Sequence, residues 1–406
     1  MRKTPFLLGI VCAFTLALVS QAGKSKGTTD PTCRAAIPFE LITKHILINL
    51  KVNNSRPLSF ILDTGDKFAI IDIDRAKELA LSLQGDIQSG AAGAGVLHGS
   101  YVQGSLFTMP GLEDFSQPIT IAFPLKNLQS PLGHEIDGVI GGDFIKEFVV
   151  ELDYQSRVIK LYDKGSFRYS GPGQSIPIEL NAQGHPIIAA EVTPEGGKPL
   201  KGKFMLDIGS SASLALYSPF VAQNHLLAPN LTTIRALGAA GAGGQLKGRI
   251  GRVEELRIGG FRLPDPITFF SQDEAGAFAT SDIQGNLGEQ ILSRFTVFLD
   301  YSHARIILEP NKTFGEPFAP AFAGAILEGD GSDYKMFRVT DVLQDSPASE
   351  AGLQKGDVIT AVDGRPASEL SVSEISEMFE RPGSYSLTVQ RDHTSLNINL
   401  RPRKLV

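Results

Sequence analysis

Phe60-Ile61-Leu62-Asp63-Thr64-Gly65 and Phe204-Met205-Leu206-Asp207-Ile208-Gly209 are two similar stretches, each an apolar run that ends in an aspartate followed one residue later by glycine. Such a run is typical of a buried strand, and a carboxylate at its end is costly unless it is used or neutralised. Two such carboxylates that meet can share one proton, because contact between like charges raises one pKa and leaves the other low. The pattern predicts that Asp63 and Asp207 face each other.

Three further stretches also occur twice. Gly90–Gly95 recurs letter for letter as Gly238–Gly243, and Gly138–Ile145 has a weaker copy in residues 285–292. Val150–Tyr154 returns as Phe298–Tyr301. The copies of Asp63, Gly90, Gly138 and Asp153 follow them by 144, 148, 147 and 147 residues. Four landmarks in one order at a nearly constant offset indicate an internal duplication.

The N-terminus has the plan of a secretory signal peptide. Arg2 and Lys3 precede an apolar run from Phe6 to Val19, and Ser20-Gln21-Ala22 supplies the small residues of a cleavage site. The pattern predicts that residues 1–22 are removed after Ala22 and that the protein is exported to the periplasm or the extracellular space. The alternative is an uncleaved N-terminal membrane anchor. Residues 23–35, which are polar and small, are predicted to form a disordered leader.

Charge and cysteine content indicate the kind of partner and the kind of organism to expect. Removing residues 1–22 takes away two basic residues and no acidic ones, which leaves 36 basic and 44 acidic residues and a formal charge of −8. Since no Lys/Arg cluster stands out, nucleic acid is not an expected partner. Cys33 is the one cysteine of the mature chain, so no intramolecular disulfide can form. An exported protein of this size without a disulfide is more typical of bacteria.

Residues 36–310 resemble the retropepsin-like aspartic proteases, with Asp63-Thr64-Gly65 and Asp207-Ile208-Gly209 as the matching motifs and Gly138–Gly142 as the supporting apolar-apolar-Gly motif. With 42 glycines, 24 prolines and short apolar runs, the chain is expected to be mainly β. The resemblance implies two duplicated β-barrel lobes, 36–170 and 175–310, that form one active site. It also implies that Asp63 and Asp207 hold a water and hydrolyse peptide bonds of a polypeptide substrate, with Thr64, Gly65, Gly209 and Ser210 in support.

The repeated glycine segments lie where this family carries a mobile hairpin flap. Gly93 and Gly95 belong to the first candidate flap, and Gly241 and Gly243 to the second. Two copies suggest two flaps that close over substrate and exclude water. The alternative is a pair of tight surface hairpins. A phosphate-binding loop is not expected, because neither segment leads into a clear helix and no Lys-Ser/Thr follows.

Two residues depart from the family pattern. Ile208 stands where the family has a threonine opposite Thr64, and Asp66 follows Gly65 where the family prefers Ala or Ser. A third carboxylate near the pair should favour protonation and raise its apparent pKa. On this basis Asp66→Ser is expected to move the acid limb of a pH–rate profile downward.

Residues 321–402 resemble a PDZ domain of the kind attached to bacterial periplasmic proteases. The resemblance rests on Val339–Val342, Ser346-Pro347-Ala348, Ala351–Ile359 and Ala361–Gly364. It predicts a short helix after Ser346 that Gly352 ends. Gly324, Ala325 and Ile326 occupy the place of the family's carboxylate-binding loop, although they fit its pattern poorly. The domain is expected to bind a peptide or a partner protein.

Other chemistries find less support in the sequence. His134-Glu135 lacks the second histidine of a zinc-protease helix, and Ser210 and Ser211 lack the Gly-x-Ser-x-Gly elbow of a hydrolase. No metal or cofactor is expected. The sequence therefore predicts an exported, monomeric aspartic endopeptidase, and the alternative is a catalytically inactive peptide-binding or scaffold protein with the same fold.

Overall fold

The computed structural model of the chain describes residues 33–406 apart from residues 91, 94, 118, 239 and 320. The predicted signal peptide and residues 23–32 of the predicted leader lie outside this range. The last three residues of that leader, 33–35, were predicted to be disordered but belong to a strand, Cys33–Pro38, in which Ala35 is buried. The prediction was wrong there because the strand is held by pairing with the distant Val158–Tyr162 and not by a strong pattern of its own.

The first lobe is built mainly from antiparallel hairpins, together with two pairs of parallel strands. His45–Val52 is a strand in which buried and exposed side chains alternate from Ile48 onward, and Asn53, with a φ of 52°, starts the turn into the strand that precedes Asp63. One short helix follows residue 72, and Asp72 caps it by accepting from the N–H groups of Asp74 and Arg75. The elements are β1 (Cys33–Pro38), β2 (Glu40–Ile42), β3 (His45–Val52), β4 (Leu58–Leu62), β5 (Ala69–Asp72), α1 (Ile73–Glu78), β6 (Ser82–Gly90), β7 (Val96–Gln103), β8 (Leu106–Met109), β9 (Leu112–Ser116), β10 (Thr120–Phe123), α2 (Lys126–Leu132), β11 (Gly138–Ile140), α3 (Gly142–Ile145), β12 (Val149–Asp153) and β13 (Val158–Tyr162).

The second lobe repeats this plan. Its elements are β14 (Gln174–Pro177), β15 (Glu179–Leu180), β16 (Pro186–Thr193), β17 (Leu200–Leu206), β18 (Leu214–Leu216), α4 (Ser218–Gln223), β19 (Ile234–Arg235), β20 (Ala240–Gly241), β21 (Gly244–Gln245), β22 (Gly248–Arg252), β23 (Glu255–Ile258), β24 (Phe261–Pro264), β25 (Ile267–Ser271), β26 (Gly285–Leu287), α5 (Glu289–Leu292), β27 (Phe295–Asp300) and β28 (Arg305–Pro310).

The strand order is the same in the two lobes. The first sheet runs β6-β7-β10-β5-β11-β4-β3-β8-β9 and the second β19-β22-β25-β18-β26-β17-β16-β23-β24. In each lobe the strand that precedes the aspartate, β4 or β17, runs parallel to a short glycine-containing strand, β11 or β26. Because order and direction both repeat, the predicted fold of two duplicated lobes is confirmed.

A third sheet joins the lobes and was not predicted. Its order is β1-β13-β12-β27-β28-β14, and the antiparallel pair β12·β27 lies across the boundary between the lobes. Val150 is opposite Leu299 and Leu152 opposite Val297, and all four side chains are buried. One continuous apolar core therefore extends through both lobes and fixes their relative position.

The C-terminal domain is a small α+β unit with its own apolar core. Its sheet order is β29-β30-β31-β33-β34, with β32 pairing beside β31, so β29 is an edge strand of the sheet. The predicted helix begins after the cap Ser346, and Gly352 follows it with a φ of 85°. The elements are β29 (Ala325–Asp330), β30 (Met336–Val342), α6 (Pro347–Glu350), β31 (Val358–Val362), β32 (Arg365–Pro366), α7 (Val372–Phe379), β33 (Tyr385–Arg391) and β34 (Thr394–Leu400). Within the described part of the chain, no helix has the length and apolar character to cross a membrane.

Candidate active site

Asp63 and Asp207 are placed by the same backbone geometry in the two lobes. Each follows the last residue of its strand, and its N–H donates to the neighbouring parallel strand, from Asp63 to Ile140 (3.0 Å) and from Asp207 to Leu287 (2.9 Å). These bonds hold both aspartates at the point where the strand ends and the chain turns. The duplication therefore delivers one carboxyl group from each lobe.

The two carboxyl groups lie beside each other next to Gly65, and the charge of Asp63 acts on Asp207. Two glycines make this approach possible. A β-carbon on Gly65 would lie 3.1 Å from Oδ1 of Asp63 and 3.2 Å from Oδ1 of Asp207, and one on Gly209 would lie 2.2 Å from Cγ of Asp63. A side chain at Gly209 would therefore push the carboxyl groups apart, which is the physical reason for glycine in the second motif.

Thr64 lies beneath the pair and links the two lobes. Its hydroxyl donates to the carbonyl of Leu206 (2.6 Å) and accepts from the N–H of Ile208 (3.0 Å), and its side chain is fully buried. Ile208 has no hydroxyl to return these bonds. One threonine thus makes both links from its own side, and the opposite position is filled by a buried apolar side chain.

The surroundings of the two aspartates differ, and this difference determines which of the two carboxyl groups has the lower pKa. Burial raises the pKa of Asp63, but the N–H groups of Gly65 and Gly209 donate to its carboxylate and act in the opposite direction. Burial and then the charge of Asp63 raise the pKa of Asp207 well above its ordinary value. Asp63 is therefore the group that ionises first, and Asp207 keeps the shared proton.

Asp66 is a third carboxyl group at the site. Burial, followed by the charge of Asp63, raises the pKa of Asp66 to about 7. Below pH 7 Asp66 is consequently mostly protonated and neutral. Its charge acts only near neutral pH, where it raises the pKa of Asp207 further.

Asn286 is a site residue that the sequence analysis did not single out. It lies in β26, and its side-chain amide donates to Oδ2 of Asp207 (2.6 Å). Ser210, which the sequence suggested as a support, instead accepts from the N–H of Ala212 (3.4 Å). The sequence alone could have pointed to Asn286, because it is a polar residue in the second lobe at the position that the apolar Val139 occupies in the first.

The two glycine segments form hairpins whose tips contact each other. The N–H of Gly95 donates to the carbonyl of Gly243 (2.7 Å), and the N–H of Gly243 donates to the carbonyl of Ala92 (2.8 Å). Contact is close enough that a β-carbon on Gly93 would lie 2.6 Å from the Gly243 carbonyl, and one on Gly241 would lie 2.3 Å from Cβ of Ala92. The tips bridge the lobes at a further place, distinct from Thr64 and from the β12·β27 pair.

The candidate carboxylate-binding loop of the C-terminal domain packs against its own domain and against the second lobe. The carbonyl of Gly324 accepts from the N–H of Leu343 (2.7 Å), and Ala325 pairs with Val342. The side chain of Ile326 lies against Gly238, at the base of the second hairpin. This loop therefore contacts the second hairpin directly.

Metal-ligating side chains are not grouped in the described part of the chain: it contains no cluster of three or more His, Cys, Asp or Glu residues arranged to hold an ion.

Comparison with known proteins gives two domain matches. The sequence model described as aspartyl protease matches residues 48–144, and a PDZ domain model matches residues 338–391. The first match includes Asp63 and Gly138–Gly142, whereas Asp207 lies in the second lobe, outside it.

Two individual proteins are also similar to parts of the chain. Serine protease HTRA1 of Xenopus laevis is 33% identical over 67 residues, which are 16% of this chain and 14% of that protein. The chain thus corresponds to only a small part of that relative's length. The crystal structure of basic 7S globulin from soybean aligns with 70% of this chain and 97% of its own, at 10% identity and a TM-score of 0.41. By its family matches, the chain contains a retropepsin-like aspartyl protease domain followed by a C-terminal PDZ domain.

Proposed function

We propose that this protein is an aspartic endopeptidase whose catalytic residues are Asp63 and Asp207. The observation that carries the proposal is the pair of adjacent carboxyl groups, one from each lobe, next to Gly65 and Gly209, the second of which leaves no room for a side chain. A surface ion-pair role does not account for it, because two like-charged groups are brought together and desolvated. Such an arrangement is costly for stability and is typical of sites that use a shared proton.

The roles of the two groups follow from their surroundings. Asp63, which accepts N–H bonds from Gly65 and Gly209, is the carboxylate that takes a proton from the attacking water. Asp207 gives its proton to the carbonyl oxygen of the scissile peptide bond as the tetrahedral intermediate forms. The water's oxygen bonds to the carbonyl carbon. Asp63 then passes the proton it took to the leaving nitrogen, the C–N bond breaks, and a hydroxyl of the intermediate returns its proton to Asp207. No covalent bond to the enzyme is formed.

The two hairpins are the proposed flaps over the substrate. Their tips are joined by backbone hydrogen bonds, and the side-chain amide of Asn127 in α2 donates to the carbonyl of Ala242 at the second tip (3.2 Å). Opening these few bonds would admit a polypeptide, and closing them would exclude water from the carboxyl pair. A monomer contains both flaps and both aspartates, so we propose that the monomer is the active form.

The PDZ domain is proposed to recognise a peptide or partner protein along the edge strand β29. One end of this edge is covered by the first lobe: a β-carbon on Gly133, at the end of α2, would lie 2.3 Å from Val372, and one on Gly329 would lie 2.9 Å from Cα of Gly133. The hydroxyl of Tyr334 also donates to Gln129 of α2 (2.7 Å). A long ligand therefore has to displace α2 from this end of the strand.

Export is proposed from the composition of residues 1–22, with the periplasm or the extracellular space as the destination. N-terminal sequencing of the protein recovered from its producing cells tests this point. A mature chain that starts at Gly23 supports cleavage after Ala22, and a chain that keeps residues 1–22 in the membrane fraction supports the anchor.

The activity is tested by digestion of a mixed peptide library from pH 3 to pH 7, with and without pepstatin. We expect cleavage that pepstatin inhibits and that Asp63→Asn and Asp207→Asn each abolish. The second candidate function is an inactive peptide-binding protein, which the buried Ile208 in place of a threonine favours. Binding of library peptides without cleavage at any pH would support that candidate and contradict the proposal.

A further inference from the structure

Asn286 places a polar side chain in the middle of a buried strand. Its residue is 1% exposed, and its amide nitrogen donates to Oδ2 of Asp207 at 2.6 Å. Its amide oxygen is buried and has no hydrogen-bond partner among the described residues. A buried, unpaired carbonyl is destabilising, so the side chain calls for an explanation other than packing.

The first lobe shows what packing alone requires at this position. Val139 occupies the corresponding place in β11, opposite Ile61 and Ile70, and is also buried. Asn286 lies opposite Met205 and Ala215 in β26. An apolar side chain thus fills this place in one lobe, while the other lobe carries an amide that reaches its aspartate. Packing in the strand therefore does not explain the amide, whereas its hydrogen bond to Asp207 does.

The bond makes the two aspartates unequal. Asp63 accepts from the N–H groups of Gly65 and Gly209, whereas Oδ2 of Asp207 accepts from the side-chain amide of Asn286. In a protonated carboxyl group the oxygen without the proton is the stronger acceptor, so an N–H donor favours that oxygen. The proton of Asp207 is therefore directed to Oδ1, which lies beside Gly65, as Oδ1 of Asp63 also does.

We propose that Asn286 is a positioning residue, which orients the Asp207 carboxyl group so that the shared proton stays on Oδ1, between the two aspartates. The inference rests on the proposed function for its meaning in catalysis. The orientation itself is a property of the folded protein and can be measured without any substrate. The titratable groups that act on Asp207 from the surrounding elements are Asp63, Asp66 and Tyr217.

The test is a carboxyl-carbon NMR titration of the whole mature chain labelled at aspartate. Asp63→Asn and Asp207→Asn assign the two signals. Asn286→Val, which installs the side chain of the first lobe, removes a donor to the ionised form of Asp207. We expect the upper titration of the pair, that of Asp207, to rise by about one pKa unit, the size of a lost hydrogen bond to a charged group. Asn286→Ala removes the same donor and should act in the same direction if the valine variant does not fold.

Two comparison variants make the outcome specific. Ser213→Ala removes another buried, unpartnered oxygen of the second lobe and is expected to leave the Asp207 titration within about 0.3 unit. Asp66→Ser removes a neighbouring carboxylate and is expected to move the Asp207 titration down, opposite to Asn286→Val. An Asp207 titration that is unchanged or lowered in both Asn286 variants would overturn the proposal. If the unmodified protein cleaves nothing, the proposed function fails, but this titration still decides the role of Asn286.

Discussion

Thr64→Val tests the link between the lobes more sharply than any other single substitution. Valine has nearly the shape of threonine but no hydroxyl, so the change removes the bonds to Leu206 and Ile208 without creating a cavity. The carbonyl of Leu206 and the N–H of Ile208 lose their partner in an environment where both residues are 1% exposed. Each lost bond with an unpaired buried group costs about 1–2 kcal/mol, which gives a loss of about 2–4 kcal/mol in the free energy of unfolding.

The assay is guanidinium unfolding followed by far-UV circular dichroism, together with kcat for a cleaved peptide. Thr268→Val is the matched control, because Thr268 is equally buried but its hydroxyl donates only to Pro266, two residues away (3.0 Å). The control should lose about 1 kcal/mol and keep its activity. The Thr64 variant should also lose at least about 10-fold in kcat, since small displacements of reacting groups are costly. Equal destabilisation of the two variants, with kcat unchanged in both, would refute this reasoning.

Three further predictions concern the same site. Asp66→Ser should move the basic limb of the pH–rate profile down, because the carboxylate of Asp66, whose pKa is raised to about 7, raises the pKa of Asp207. A downward shift of the acid limb alone would show that Asp66 is charged at low pH. Gly209→Ala should reduce kcat/KM by at least about 100-fold because its β-carbon would meet Asp63, whereas Gly165→Ala, with open space around it, should have no effect on kcat/KM. Gly241→Ala should raise KM with little change in kcat, because its β-carbon would part the hairpin tips at Ala92; an unchanged KM would argue against flaps that hold substrate.

The sequence was sufficient for the features that repeat. The two Asp-x-Gly motifs and their strands could be predicted because each depends on local patterns of apolar residues and glycines. The PDZ domain could be predicted from its resemblance to a known family. Duplication then required the copies to adopt the same strand order, as they do. The effect of Asp66 on the acid limb stays a prediction; the structure adds that burial and the charge of Asp63 raise the pKa of Asp66 to about 7.

What could not be predicted depends on contacts between distant residues. The sheet that joins the lobes pairs Val150 with Leu299, and no local pattern specifies that register. The packing of α2 against Val372 and Gly329 likewise joins surfaces that are far apart in the chain. Asn286 was within reach, since its alignment with Val139 places an amide in a buried strand, a substitution that needs a partner.

The central claim is that Asp63 and Asp207 act as one catalytic unit. The most direct measurement compares kcat of Asp63→Asn, Asp207→Asn and the double variant on one peptide that the unmodified protein cleaves. We predict that each single variant falls to the same residual rate and that the double variant falls no further, because either loss removes the shared proton. A single variant that keeps more than about a tenth of kcat, or a double variant slower by the product of both single effects, would contradict the account.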